Sequence, residues 1–148
     1  MYLLDTQAFL DFLEGNPADA ESSAAMRFVA EAEEARRRVS VSVVSIGMIR
    51  WAVEQLKPGP QRHNLERRLN MAVHTLELGG QIYELDRDAV EAWVQLRAVE
   101  LFDADGAVMG DDERMVAATA LAKSLTLVTR WPQIYQPAAD YGLAVRPV

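Results

Sequence analysis

Four acids occupy positions where carboxylates do chemistry. Asp5 ends the apolar run Tyr2-Leu3-Leu4 and is followed by Thr6. Asp111, Asp112 and Glu113 open an alanine-rich stretch that continues through Val116, Ala117 and Ala118. Carboxylates so placed serve one of two ends. An Asp after a strand can cap the free N–H groups of the next helix, and acids in a helix's first turn suit its dipole. Alternatively, carboxylates converging from separate elements hold a hard divalent cation, which prefers oxygen ligands. The residue types leave both uses open, and adjacent acids cannot all face one ion. A second polar junction, Thr129-Arg130, ends another apolar run. Other chemistries are excluded. The sequence has no cysteine, hence no disulfide, thiolate zinc site or cysteine nucleophile. Its two histidines, His63 and His74, share a helical stretch but only loosely a face, and read as surface residues.

The elements that must position these residues alternate. Residues 2–4 read as a short buried strand, followed by a helix with Phe9, Leu10, Phe12 and Leu13 on its apolar face and a stop at Gly15-Asn16-Pro17. Some of those four exceed what a core needs. A second helix is predicted over about residues 18–38 and a β-branched strand over 39–44. A third helix starts near Ser45 and ends at Lys57-Pro58-Gly59-Pro60; a fourth covers about 61–76. A strand at 82–85 precedes a helix opened by Asp86-Arg87-Asp88. Residues 103–110 read as a loop, 111–123 as a helix, and 125–129 and 143–145 as strands. Such alternation predicts an α/β fold with a short parallel sheet covered on both faces, and function at the carboxyl ends of its strands. Asp5-Thr6 and Thr129-Arg130 fall at such ends.

The 148 residues suit one domain, 1–148, without internal repeat or long linker. The net charge of −7 argues against non-specific nucleic-acid binding and favours a basic partner. Apolar runs are too short to span a bilayer, and the opening MYLLD lacks the basic start of a signal peptide, so a cytoplasmic location is expected.

Four segments, in order, carry a resemblance: Tyr2-Leu3-Leu4-Asp5-Thr6-Gln7, Ser42-Val43-Val44-Ser45-Ile46-Gly47-Met48, Asp111 through Ala120, and Leu125-Thr126-Leu127-Val128-Thr129-Arg130. Together they resemble the motifs of PIN domains, and most of all the VapC-like (and FitB-like) toxins of bacterial toxin–antitoxin pairs. The resemblance implies a three-layer PIN-like domain with a central parallel sheet of about four to five strands between helices. It implies an endoribonuclease using Mg²⁺ or Mn²⁺, with an antitoxin partner, an RNA substrate and a homodimer. Carried over residue by residue, it makes Asp5 the first metal-binding acid, Glu113 the third, and Asp111 an accessory acid, with Asp112 next in line. Thr6, Thr129 and Arg130 would meet substrate.

The chain departs from that pattern at several places. Met48 stands where the family has Glu, and Met is a poor ligand for a hard cation. Gln7 replaces a common Asn. Trp131-Pro132 follows Arg130 where Asn or Asp is usual, and Ile134 stands where a later acid is expected. Glu54 reads as a solvated helix residue. An inactive PIN-like binding or regulatory module is therefore the alternative reading, and nucleic-acid binding without cleavage a third. Arg62, Arg67 and Arg68 read as a solvated face with local ion pairs, and Arg36-Arg37-Arg38 as cations at a helix C-terminus. Arg130 is placed to meet an RNA phosphate or to pair with Asp5 or Glu113. Trp131 is placed to stack on a base or to plug the site.

Overall fold

Each short apolar run becomes a strand because helices cover it on both faces. The computed structural model describes residues 1–16, 18–19 and 23–148. In it, β1 (Tyr2–Leu4) lies at the centre of a five-stranded parallel sheet, between β2 (Val39–Ser42) and β4 (Thr126–Thr129). The outer strands are β3 (Ile82–Tyr83), beside β2, and β5 (Ala144–Pro147), beside β4. Tyr2 pairs with Val39 on one side and Thr126 on the other.

Side chains alternate across this sheet, as the pleat requires. Leu3 and Leu127 join Leu96, Leu101 and Val116 in one apolar cluster. Tyr2, Leu4 and Val128 join Phe9, Phe28, Ile49 and Leu69 in the other. The first cluster is closed by helices α5 (Arg87–Arg97) and α6 (Asp111–Ala122). The second is closed by α1 (Thr6–Glu14), α2 (Ala24–Glu34), α3 (Val43–Gln55) and α4 (Pro60–Leu78). This gives the three layers expected. No helix among the described residues is long and apolar enough to cross a membrane.

Capping decides several boundaries. Ser42 ends β2 and caps α3 by accepting from the Val44 N–H at 3.1 Å, so the helix starts at Val43 rather than near Ser45. Asp86 caps α5 through the Ala89 N–H at 3.0 Å. The second helix is shorter than expected. Arg36 takes a left-handed φ of 54°, which a continuing helix forbids. Arg38 therefore lies outside the helix and donates to the Gly79 and Gly80 carbonyls. The expected start of that helix, at 18–22, falls partly outside the described residues. Residues 132–141 form a 3-10 helix (Pro132–Tyr141) that buries Tyr135 and Ala138. In this segment Pro132 and Pro137 mask a real periodicity. Arg62 pairs with Glu54 at 2.7 Å, as a solvated face should, but Arg68 reaches inward to the Leu13 and Gly15 carbonyls.

Candidate active site at the strand ends

β1 and β4 deliver Asp5 and Thr129 side by side. Both are buried, Asp5 with 6% of its surface exposed and Thr129 with none. Asp5 does what its local position demands first. One carboxylate oxygen, Oδ1, accepts from the Ala8 N–H at 2.7 Å and so caps α1. The Thr129 hydroxyl donates to the same carboxylate while accepting from the Trp131 N–H at 3.1 Å. Burial raises the Asp5 pKa, opposed by the Thr129 and Ala8 hydrogen bonds; Asp11 pushes it further up and Arg130 pulls it down. The two expected uses of Asp5 are thus not exclusive. One oxygen caps the helix, and the residue also lines a cleft of about 250 Å³.

The start of α6 forms the opposite wall, with Asp112 and Glu113. No side chain caps this helix; Gly110 occupies the cap position, and the three acids fill the first turn. The two cleft carboxylates lie back over Gly110. A Cβ there would sit 2.6 Å from Asp112 Oδ1 and 2.9 Å from Glu113 Oε2. Glu113 Oε2 is buried and meets no donor. Asp112 becomes its hydrogen-bond partner only when the pair holds a proton. Burial first, then the bond and repulsion from Asp112, then Asp103, push the Glu113 pKa up to about 7.

Asp111 stands apart from this cleft. Its carboxylate pairs with Arg97 on α5 at 2.7 Å and is about half exposed. The cause is the rotation of α6, pinned by Arg114. That buried guanidinium donates to the Leu96 and Val99 carbonyls at the end of α5. Successive helical residues then diverge, Asp111 toward α5 and its two neighbours into the cleft.

The residues expected to meet substrate are placed unevenly. Thr6 lines the cleft, and its hydroxyl shares a hydrogen bond of 2.9 Å with that of buried Ser45. Thr129 is sealed from solvent and orients Asp5 instead. Arg130 pairs with Asp11 at 2.6 Å, not with Asp5 or Glu113, and does not line the cleft. Met48 is half-buried on α3 and is also absent from the lining, whereas Trp131 and Ile134 belong to it.

Three residues escaped the sequence reading. Tyr135 lines the cleft, its phenol buried and its pKa driven well up by burial and then by Asp5, Glu113 and Asp112. Asp103 ties its own loop by accepting from the Asp105 and Ala107 N–H groups, both at 2.9 Å. Its Asp-Ala-Asp-Gly run is a turn signal that marked the loop but not its place. Asp11 accepts from Gln7 at 2.9 Å as well as from Arg130; only the i, i+4 spacing from Gln7 hinted at it.

Among the described residues no three His, Cys, Asp or Glu side chains gather as a ready cage. The buried, partnerless Glu113 oxygen and the acids Asp5 and Asp112 around one cleft fit a single Mg²⁺ or Mn²⁺ that keeps several waters.

No family model and no curated protein matches the chain. Solved structures do. FitAB bound to a DNA fragment contains a chain 22% identical, superposing with a TM-score of 0.72 over 99% of this chain and 94% of that one. FitAcB from Neisseria gonorrhoeae is 24% identical, with a TM-score of 0.68 over 98% and 96%. VapBC2 from Rickettsia felis, bound to a DNA fragment from its promoter, is 14% identical, with a TM-score of 0.69 over 99% and 98%. At such identities the likeness is one of architecture, and the chain has the PIN-like fold of the FitB and VapC toxin components.

Proposed function

We propose that this chain is the toxin half of a toxin–antitoxin pair, a VapC-like endoribonuclease that hydrolyses RNA phosphodiester bonds with Mg²⁺ or Mn²⁺. The observation that carries the reading is the strand-end cleft, which Asp5, Asp112, Glu113 and buried Thr129 all line. Asp5, Glu113 and Asp112 would hold the ion; when bound, it supplies an activated water and charge for the phosphate oxygens. The chain's own residues do the rest. Thr129 and the α1 N-terminus hold Asp5 in one orientation. Glu113, whose pKa burial and then Asp112 push up to about 7, must lose its proton before it can serve as a ligand.

An antitoxin partner would dock on the far side of α1. An apolar groove of about 420 Å³ runs between α1, α2 and α4, lined by Phe12, Leu13, Val29, Met71 and Leu76 among others, with Arg67 and Arg68 beside Glu33. Phe12 is half-buried there, while Phe9 and Leu13 are core residues. An amphipathic antitoxin segment fits this groove, in line with the complexes formed by the FitAB and VapBC proteins.

Asp5→Asn tests the enzyme reading. Asn caps a helix about as well as Asp, so the fold should hold while metal-dependent RNA cleavage drops by at least about a hundredfold. Equal cleavage by wild type and variant would sink it. The second reading, an inactive binding module, rests on Met48, which contributes nothing to the cleft, and on apolar Ile134 within it. Met48→Glu separates the two. A wild type that already cuts RNA as well as this variant rules out the module; cleavage only in the variant supports it.

A further inference from the structure

Tyr135 carries a hydroxyl that the fold does not use. Its ring belongs to the apolar cluster with Leu3, Val116 and Leu127, and the residue is 2% exposed. Among the described residues no hydrogen bond engages its hydroxyl. A buried hydroxyl without a partner opposes folding, and phenylalanine would fill the same space without that cost. The residue nevertheless lines the strand-end cleft, and its phenol feels Asp5 from one wall and Glu113 and Asp112 from the other. Burial first, and then those three acids, drive its pKa well up, so the hydroxyl keeps its hydrogen.

The other hydroxyl and amide side chains of the cleft are committed. Thr129 donates to Asp5, the Gln7 amide donates to Asp11 at 2.9 Å, and the Thr6 and Ser45 hydroxyls hold each other at 2.9 Å. No Lys, Arg or His among the described residues lines the cleft. A phosphodiester entering it brings non-bridging oxygens that need donors, and carboxylates supply none. We infer that Tyr135 is a catalytic residue of the cleft, its hydroxyl donating a hydrogen bond to one non-bridging oxygen of the phosphate under attack. The inference rests on the nuclease reading and adds a residue to it. No proton is transferred. A neutral donor also suits this cleft, because it brings no positive charge to compete with a divalent cation for the carboxylates.

The test starts from a bond that the wild type cuts in total bacterial RNA with Mn²⁺. An oligoribonucleotide carrying that bond is made with oxygen, or with sulfur in place of either non-bridging oxygen. Tyr135→Phe removes one hydroxyl and keeps the ring, so its melting temperature should stay within a few degrees of wild type. Its Mn²⁺ affinity, measured by calorimetry, should stay within about twofold, while cleavage of the oxygen substrate falls about tenfold or more. Sulfur accepts hydrogen bonds weakly. At one of the two positions it should therefore slow the wild type but slow Tyr135→Phe far less, as expected when both changes remove the same bond. Unchanged cleavage by the variant, or equal sulfur penalties in the two proteins at both positions, overturns this role and leaves the nuclease reading intact. So does a Mn²⁺ affinity or a melting temperature that falls with the hydroxyl, which would assign it to the metal site or to the fold. A wild type that cuts no RNA overturns both.

Discussion

At the residue scale, the site turns on how burial acts on the carboxyls of Asp5 and Glu113. Asp5 was legible because a strand-ending Asp before a helix is placed by chain direction alone. Its partner Thr129 was legible as a neighbour but not as a buried donor, because reach depends on register between β1 and β4. Glu113 yields a prediction with a definite sign. Its folded pKa of about 7 lies above the unfolded value of 4.5. The unfolded chain therefore releases this proton first as pH rises, and stability falls between about pH 4.5 and 7. Glu113→Gln removes that penalty. The variant should melt higher than wild type at pH 8 in metal-free buffer, with an advantage on the order of 1 kcal/mol, since solvent reaching a partly buried residue discounts the shift. At pH 4 the two should melt alike. Thermal scans at the two pH values check this, and a lower Tm for the variant at pH 8 contradicts it. On the proposed nuclease reading the same proton would gate metal binding, so cleavage should fall as pH drops through about 7.

At the element scale, the rotation of α6 decides which acids are useful. The sequence shows three consecutive acids but not the helix's roll, because the anchor that sets it is a buried arginine, Arg114, a residue type expected on the surface. Asp112 thereby faces the cleft while Asp111 turns to Arg97. Gly110 completes the arrangement. Its φ of −66° is open to any residue, so alanine costs little in backbone terms. A methyl group there would nevertheless strike both cleft carboxylates. Gly110→Ala should leave the melting temperature within a few degrees and weaken Mn²⁺ binding about tenfold or more. Titration calorimetry with Mn²⁺ measures the second effect; unaltered affinity would show that the carboxylates do not need the gap. The Pro132–Tyr141 segment shows the opposite limit of sequence reading. Tyr135 enters the cleft from a 3-10 helix whose period of three sits behind two prolines.

At the scale of the whole molecule, one sheet separates two faces of use. The strand ends carry the acidic cleft, and α1 carries Asp5 at its start and the apolar groove along its side. An antitoxin segment in the groove would press on the helix that Asp5 caps, linking occupancy to the site without touching it. The alternation that identified the sheet was legible from the apolar runs; the groove was only hinted at by the surplus of aromatic residues in α1. Val90 and Val94, four residues apart on α5, stay exposed and share a face. They would fit the homodimer that the family resemblance implies. Light scattering should give a dimer for wild type and a monomer for Val94→Asp; a monomeric wild type contradicts this.

Whether the strand-end cleft holds a divalent cation decides between the nuclease and the inactive module. A crystal soaked in Mn²⁺ near pH 8, where Glu113 has lost its proton, measures this through anomalous scattering. The account predicts one peak in the cleft, with carboxylate oxygens of Asp5 and Glu113 at about 2.0–2.2 Å and waters completing the shell. A cleft without a peak, with Mn²⁺ bound elsewhere on the protein, would contradict it.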